Sequence, residues 1–235
     1  MVIYGRRPVY EYLRAGGRPK VIYLQKGIRP EDDLLELMAG HRTVLVTSKE
    51  LNRLTSVRDH QGVAADIGEF KTYDRKRIIN VSLKTDRPVL VVDRVQDVRN
   101  LGALIRSAEA FGFAGVIVPP RRTAPITPAV VKTSAGAIFH IPVSIYNAAK
   151  FINEYRKMGG VAVGLHVEGK DITSVKLPTP IALVVGSEGK GLSDLVKRSV
   201  NYLVRIPMSG RVQSLNASVA GGIGMFWIRL FAGRR

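Results

Sequence analysis

The chain has 235 residues, 46% hydrophobic and 23% charged, the balance of a folded globular protein rather than a disordered or fibrous one. It contains no cysteine, which excludes disulfides, thiolate nucleophiles and Cys-based zinc sites. Lys and Arg number 36 against 19 Asp and Glu, so the net charge is +17 and a polyanionic partner, nucleic acid first among them, is expected.

That charge is unevenly spread. Residues 1–70 carry 11 basic and 9 acidic side chains, residues 71–88 carry 6 and 2, and residues 89–235 carry 19 and 8. No apolar run is long enough to span a bilayer, and the N-terminus lacks a signal-peptide pattern, so a cytoplasmic protein with no membrane partner is expected.

In chain order, Val9, Leu13, Tyr10 and Tyr12 predict a short helix that stops at Ala15-Gly16-Gly17. Residues 20–25 read as a strand and 31–39 as a helix whose acids favour its first turn. Residues 43–47 form a second strand, Ser48 caps a helix, and residues 60–65 return as a strand. This alternation describes a small α/β domain over residues 1–70. Residues 71–87 form a polar, basic linker with room for a short helix.

A buried-strand pattern then begins at Pro88-Val89-Leu90-Val91-Val92. A loop over residues 94–100 leads to a helix at 101–111, with Asn100 as its natural N-cap. Further strands are expected at 115–119, 139–143, 161–165, 181–185 and 202–206. Helices are expected near 127–137, 150–158 and 192–199, and a glycine-rich one closes the chain. Such dense alternation argues for a mostly parallel sheet covered on both faces, over residues 88–235.

Two loops invite comparison with nucleotide-binding motifs. The loop before Gly102 has one of the three glycines that G-x-G-x-x-G requires, and in Gly186-Ser187-Glu188-Gly189-Lys190-Gly191 the lysine is followed by glycine, not Ser or Thr. Both motifs are rejected. What remains is a glycine turn at the carboxyl end of a strand, the usual ligand position in α/β sheets. Glu188 could pair with an arginine or orient a cationic or hydroxyl-bearing ligand. Arg106, on a helix with apolar neighbours, needs an anionic partner, with an internal salt bridge and a bound phosphate equally open. Ser214 and Asn216 precede the last helix and could simply cap it. The four histidines show no metal-ligand spacing, and no G-x-S-x-G elbow is present.

Four pieces in this order resemble the SpoU branch of the SPOUT RNA methyltransferases. They are Asn100-Leu101-Gly102-Ala103 through Arg106-Ser107-Ala108-Glu109-Ala110-Phe111-Gly112; Lys132-Thr133-Ser134-Ala135-Gly136-Ala137 with His140-Ile141-Pro142-Val143; Gly186-Ser187-Glu188-Gly189 with Gly191; and Ile206-Pro207-Met208 with Ser214-Leu215-Asn216-Ala217-Ser218. More loosely, Gly5, Pro8-Val9, Glu11 and Leu13 resemble the substrate-binding domain of ribosomal RNA guanosine-2′-O-methyltransferases. Val98 departs from the proline that many relatives place after the aspartate.

The resemblance implies an α/β fold with a trefoil-knotted SPOUT domain, a homodimer, and S-adenosylmethionine as the only cofactor, with no metal. It implies that Gly186, Gly189, Ile206, Met208, Ser214 and Leu215 hold the cofactor. Arg106 would bind the target phosphate and assist the attacking hydroxyl, with Asn100, Glu188, Ser214 and Asn216 orienting it, the ribose and the cofactor. The implied activity is methylation of a ribose 2′-OH, of a guanosine in 23S ribosomal RNA. A tRNA methyltransferase and a non-catalytic RNA-binding or ribosome-assembly factor are the alternatives. Gly221, Gly222 and Gly224, each costing about 1 kcal/mol of helix propensity against alanine, are expected to permit close packing.

Overall fold

The computed structural model describes residues 1–212 and 214–232. The chain forms two compact units, Met1–Lys71 with Ile126–His140, and Thr72–Pro125 with Ile141–Arg235.

The first unit is built on a four-stranded sheet of β1 (Val2–Tyr4), β2 (Val21–Gln25), β3 (Thr43–Val46) and β4 (Val63–Asp66), in the order β1-β4-β2-β3. β4 lies antiparallel to both neighbours, with Ala65 opposite Ile3 and Ile22. Helices α1 (Arg6–Arg14), α2 (Asp32–Met38) and α3 (Ser48–Thr55) bury Val9, Leu34 and Leu51 completely or nearly so. Thr47, not Ser48, caps α3, through a reciprocal capping box with Glu50. A three-residue first strand is too short to announce itself by period, and the sequence did not reveal β1.

Residues 126–140 belong to this unit and supply α6 (Pro128–Thr133) and a 3-10 turn, Ala137–Phe139. The expected strand at 139–143 is therefore displaced, beginning only at Val143. Phe139 meets the ring of Tyr12 edge-on at 5.0 Å, and Nε2 of His140 lies 2.6 Å from Oε2 of Glu11. Gly136, at φ 82°, comes so close to α1 that an added Cβ would lie 2.6 Å from Cβ of Glu11. Two sequence fragments that resemble the same family from distant parts of the chain thus meet here. The helices at residues 75–85 and 98–110, between the two stretches, belong to the second unit.

That second unit holds a six-stranded, fully parallel sheet in the order β10-β8-β9-β5-β6-β7. Its strands are β5 (Val89–Val92), β6 (Gly115–Val118), β7 (Val143–Ile145), β8 (Val161–Asp171), β9 (Ile181–Val185) and β10 (Tyr202–Arg205). Every residue of β5, β6 and β9 is buried, as unbroken β-branched and aliphatic runs covered on both faces require. Residues 71–87 hold more than a connector. Asp74 caps α4 (Arg75–Thr85), which buries Ile78 and Ile79 against Phe151, Ile152 and Tyr155 of α7 (Ala148–Lys157). Burial pushes the Tyr155 hydroxyl up to about 12, and that hydroxyl lies 2.7 Å from Oγ of Ser82.

Helix α5 (Val98–Ala110) packs on α9 (Ala217–Phe231), while α8 (Asp194–Ser199) lies beside α7. The N-cap of α5 is Asp97, whose carboxylate accepts the N–H groups of Arg99 and Asn100. Asn100 is thus displaced from the expected cap into the first turn, freeing its side chain. Two of the three α9 glycines have the packing role expected of them. An added Cβ would lie 2.2 Å from Leu104 at Gly221 and 2.9 Å from Leu165 at Gly224, but only 3.9 Å from Ser107 at Gly222.

Candidate active site

The middle of β8, the carboxyl ends of β9 and β10 and the first turn of α9 line a cavity of 370 Å³, within the roughly 300–1,000 Å³ usual for small-molecule sites. Gly186, Gly189, Ile206, Met208, Ser214 and Leu215 all line it. Every residue expected to hold a cofactor therefore faces one space. The geometry of the walls explains the residue types. Ser187 and Gly191 exchange backbone hydrogen bonds of 3.0 Å, folding the turn after β9 back on itself. A Cβ on Gly186 would lie 2.3 Å from the backbone carbon of Gly191, so no other residue fits there. The base of the turn is held by Asp93, buried at the end of β5, whose Oδ2 accepts Ser193 N–H at 2.6 Å.

Beside the cavity, Glu188 ties the turn after β9 to the first turn of α5 and to the N-cap of α9. One carboxylate oxygen accepts from Nδ2 of Asn100 at 3.3 Å and the other from Nδ2 of Asn216 at 3.1 Å. Asn216 does two jobs, because its Oδ1 also accepts Ser218 N–H and so caps α9. The capping and site readings of this residue are compatible. No cation pairs with Glu188 among the described residues.

Arg106 stands apart from this cluster, six residues or about 9 Å of helix along α5 from Asn100. It is exposed and makes no ion pair or hydrogen bond among the described residues. The internal salt bridge that its position allowed is not formed among the described residues.

Sequence reasoning passed over several cavity residues, among them His166, Lys190 and Arg205. β8 continues well past residue 165, and its register against β10 shifts at Leu203/Val204. Gly169 permits that shift, since a Cβ there would lie 2.5 Å from Val204 N. An isolated glycine in a strand is the one signal that could have suggested it. In the first unit a more open cavity of 580 Å³ is lined by Arg6, Arg7 and Arg58 with His60 and Gln61.

Comparison with known proteins accounts for both units. The profile of the SpoU rRNA Methylase family matches residues 87–226, and that of RNA 2′-O ribose methyltransferase substrate binding matches residues 2–73. A tRNA/rRNA methyltransferase of Mycobacterium ulcerans, described as uncharacterized, is 37% identical over 229 residues, spanning 94% of this chain and 74% of that one. The SpoU methyltransferase AviRb of Streptomyces viridochromogenes, solved with AdoMet (S-adenosylmethionine), superposes with a TM-score of 0.81 at 25% identity, covering 97% of this chain and 89% of its own. An AdoMet-bound rRNA methyltransferase of Sinorhizobium meliloti does so at 0.79 and 26%, covering 97% and 86%. With both profiles matched in order and nearly the whole chain superposed, the protein belongs to the SpoU rRNA methylase family and is an RNA methyltransferase that uses S-adenosylmethionine.

Proposed function

We propose that the protein methylates a ribose 2′-OH, of a guanosine in 23S ribosomal RNA, with the cofactor seated in the cavity between Gly186, Ile206, Met208 and Leu215. The observation that carries this reading is the convergence of the turn after β9, the connection from β10 to α9 and a segment of β8 on that cavity, beside which Glu188 is held between Asn100 and Asn216. The bound cofactor supplies an electrophilic methyl group on a sulfonium. The chain's own residues must then bring a ribose hydroxyl to it and stabilise that oxygen as its proton leaves. Arg106 suits this as phosphate anchor and electrostatic stabiliser, because an unpaired guanidinium offers a forked set of donors. A guanidinium holds its own protons firmly, so its first role is to anchor and stabilise rather than to take the hydroxyl's proton.

The first unit supports an RNA substrate of some size. It carries 13 basic and 9 acidic side chains, and three of its arginines line one open cavity, where a phosphodiester backbone could lie. The branch's smaller tRNA enzymes usually lack such a unit, which favours ribosomal RNA. We also infer a cytoplasmic homodimer with the knotted backbone of its family. On α9, Val219, Ile223 and Phe226 are 50%, 39% and 51% exposed at spacings of four and three, an apolar stripe suited to a second copy. Phe226→Glu should yield monomers in sedimentation velocity, and an unchanged dimer would remove α9 from the interface.

Transfer of a labelled methyl group to purified ribosomal RNA and to tRNA, with the product nucleotide mapped, tests the activity. A 2′-O-methylguanosine in the large-subunit RNA is expected. Label in tRNA alone would overturn the substrate, and label on a base would overturn the reaction.

A further inference from the structure

His166 stands on the β8 wall of the cavity, its side chain only 8% exposed. Its Nδ1 accepts the backbone N–H of Glu168 at 3.2 Å, which leaves the hydrogen of the neutral ring on Nε2. Nε2 has no hydrogen-bond partner among the described residues. Nor is it sealed in, since the only fully buried side-chain polar atoms without a partner among those residues are the Thr123 and Thr127 hydroxyls. A mostly buried imidazole thus presents one free donor to the cavity.

We propose that His166 is a cofactor-contacting residue, whose neutral ring donates Nε2–H to S-adenosylmethionine and whose protonation weakens binding of that cationic cofactor. This rests on the cofactor's placement in the cavity.

Charge decides the second half of the statement. S-adenosylmethionine carries a sulfonium, an ammonium and a carboxylate, and is a net cation. The cavity is also lined by Lys190 and Arg205, and among the described residues no Asp or Glu lines it. A protonated His166 would add a further cation to this wall. The other charged groups near the ring are Glu168, with Oε2 3.5 Å from Nδ1, and Lys197 of α8, with Nζ 3.7 Å from that same carboxylate. Burial first and Lys197 second hold the imidazole below its ordinary range, against an opposing effect of Glu168. The neutral, binding-competent ring is therefore present at neutral pH and is lost on acidification. S-adenosylhomocysteine, which lacks the sulfonium charge, isolates the electrostatic part.

Calorimetric titration of both ligands between pH 7.5 and 5.5 tests this on the wild type, His166→Leu and His166→Gln. Wild-type affinity for S-adenosylmethionine should fall on acidification, by less than about tenfold at pH 5.5 because the imidazole is held below its ordinary range, and that for S-adenosylhomocysteine by much less. His166→Leu should bind both ligands roughly two- to tenfold more weakly at pH 7.5, the worth of one lost hydrogen bond. His166→Gln, which keeps a donor but cannot titrate, should bind near wild type at pH 7.5 and lose the extra pH dependence. Wild-type affinities in His166→Leu, or a ligand-specific pH effect that survives in His166→Gln, would overturn the proposal. Should His166→Leu fail to fold, the pH profile of His166→Gln decides. Ala220→Phe, which fills the cavity, separates the two levels of inference. If it abolishes binding while the His166 variants behave as wild type, the cofactor's placement stands and the role of His166 falls. If it binds normally, the placement falls first.

Discussion

Two carboxylates, one in each unit, are held by several partners and differ in what those partners are. Glu11 is buried and flanked by cations, pairing with Arg7 and with Nη1 of Arg14 at 3.9 Å, and its Oε2 lies 2.6 Å from Nε2 of His140. Glu188 is exposed and held by the neutral amides of Asn100 and Asn216. Cationic partners offset the charge they surround, and such a group is spent on joining elements of the fold. Amide donors fix the direction of a carboxylate and leave its charge to act on whatever arrives. Glu11 is therefore a structural lock, and Glu188 has the character of a site residue.

Three substitutions would sharpen or break that contrast. The largest effect is expected at Arg106, a member of the proposed catalytic set that makes no ion pair or hydrogen bond among the described residues. Arg106→Ala should lower methyl transfer by about 10³-fold, as loss of an electrostatic stabiliser does, with cofactor affinity in calorimetry largely intact. Equal loss of both would remove it from the chemistry. Next, Glu188→Gln should cost about ten- to a hundredfold in turnover, or roughly 1.4–3 kcal/mol of transition-state stabilisation. Its urea midpoint should barely move, and full activity in this variant would show that the charge is unused. Glu11→Ala should do the reverse. It leaves His140 without its acceptor and should cost about 1–3 kcal/mol in urea unfolding, while cofactor affinity stays at the wild-type value. A parallel loss of affinity would mean that the two carboxylates are not independent.

The sequence was most legible where burial writes a simple pattern. Val89–Val92 and Ile181–Val185 read as interior strands because both faces are covered, and both are. Asn216 read as a cap and is one. The Asn100 prediction missed by three residues, because Asp97 is an equally good cap and the helix starts at the first one available. The cavity residues named from Gly186, Ile206 and Leu215 were legible through family motifs, not through local physics. His166 was not legible at all. Its position depends on how far β8 extends and where its pairing with β10 slips, and both are settled by contacts remote in sequence. The membership of residues 126–140 was hidden for a similar reason, since nothing in a helix of six residues says which core it will join.

That last assignment bears on how the protein can be taken apart. A cut after Lys71 does not release a finished N-terminal module, because the wall formed by α6, Gly136, Phe139 and His140 is encoded some sixty residues downstream, between β6 and β7. A fragment ending there would uncover Tyr12 and strand Glu11 with Arg7 and Arg14 alone. Grafting this first unit onto another enzyme therefore means carrying two pieces of chain, the opening seventy-one residues and the fifteen-residue excursion that completes them. Any reassortment of such modules would have to move both pieces together.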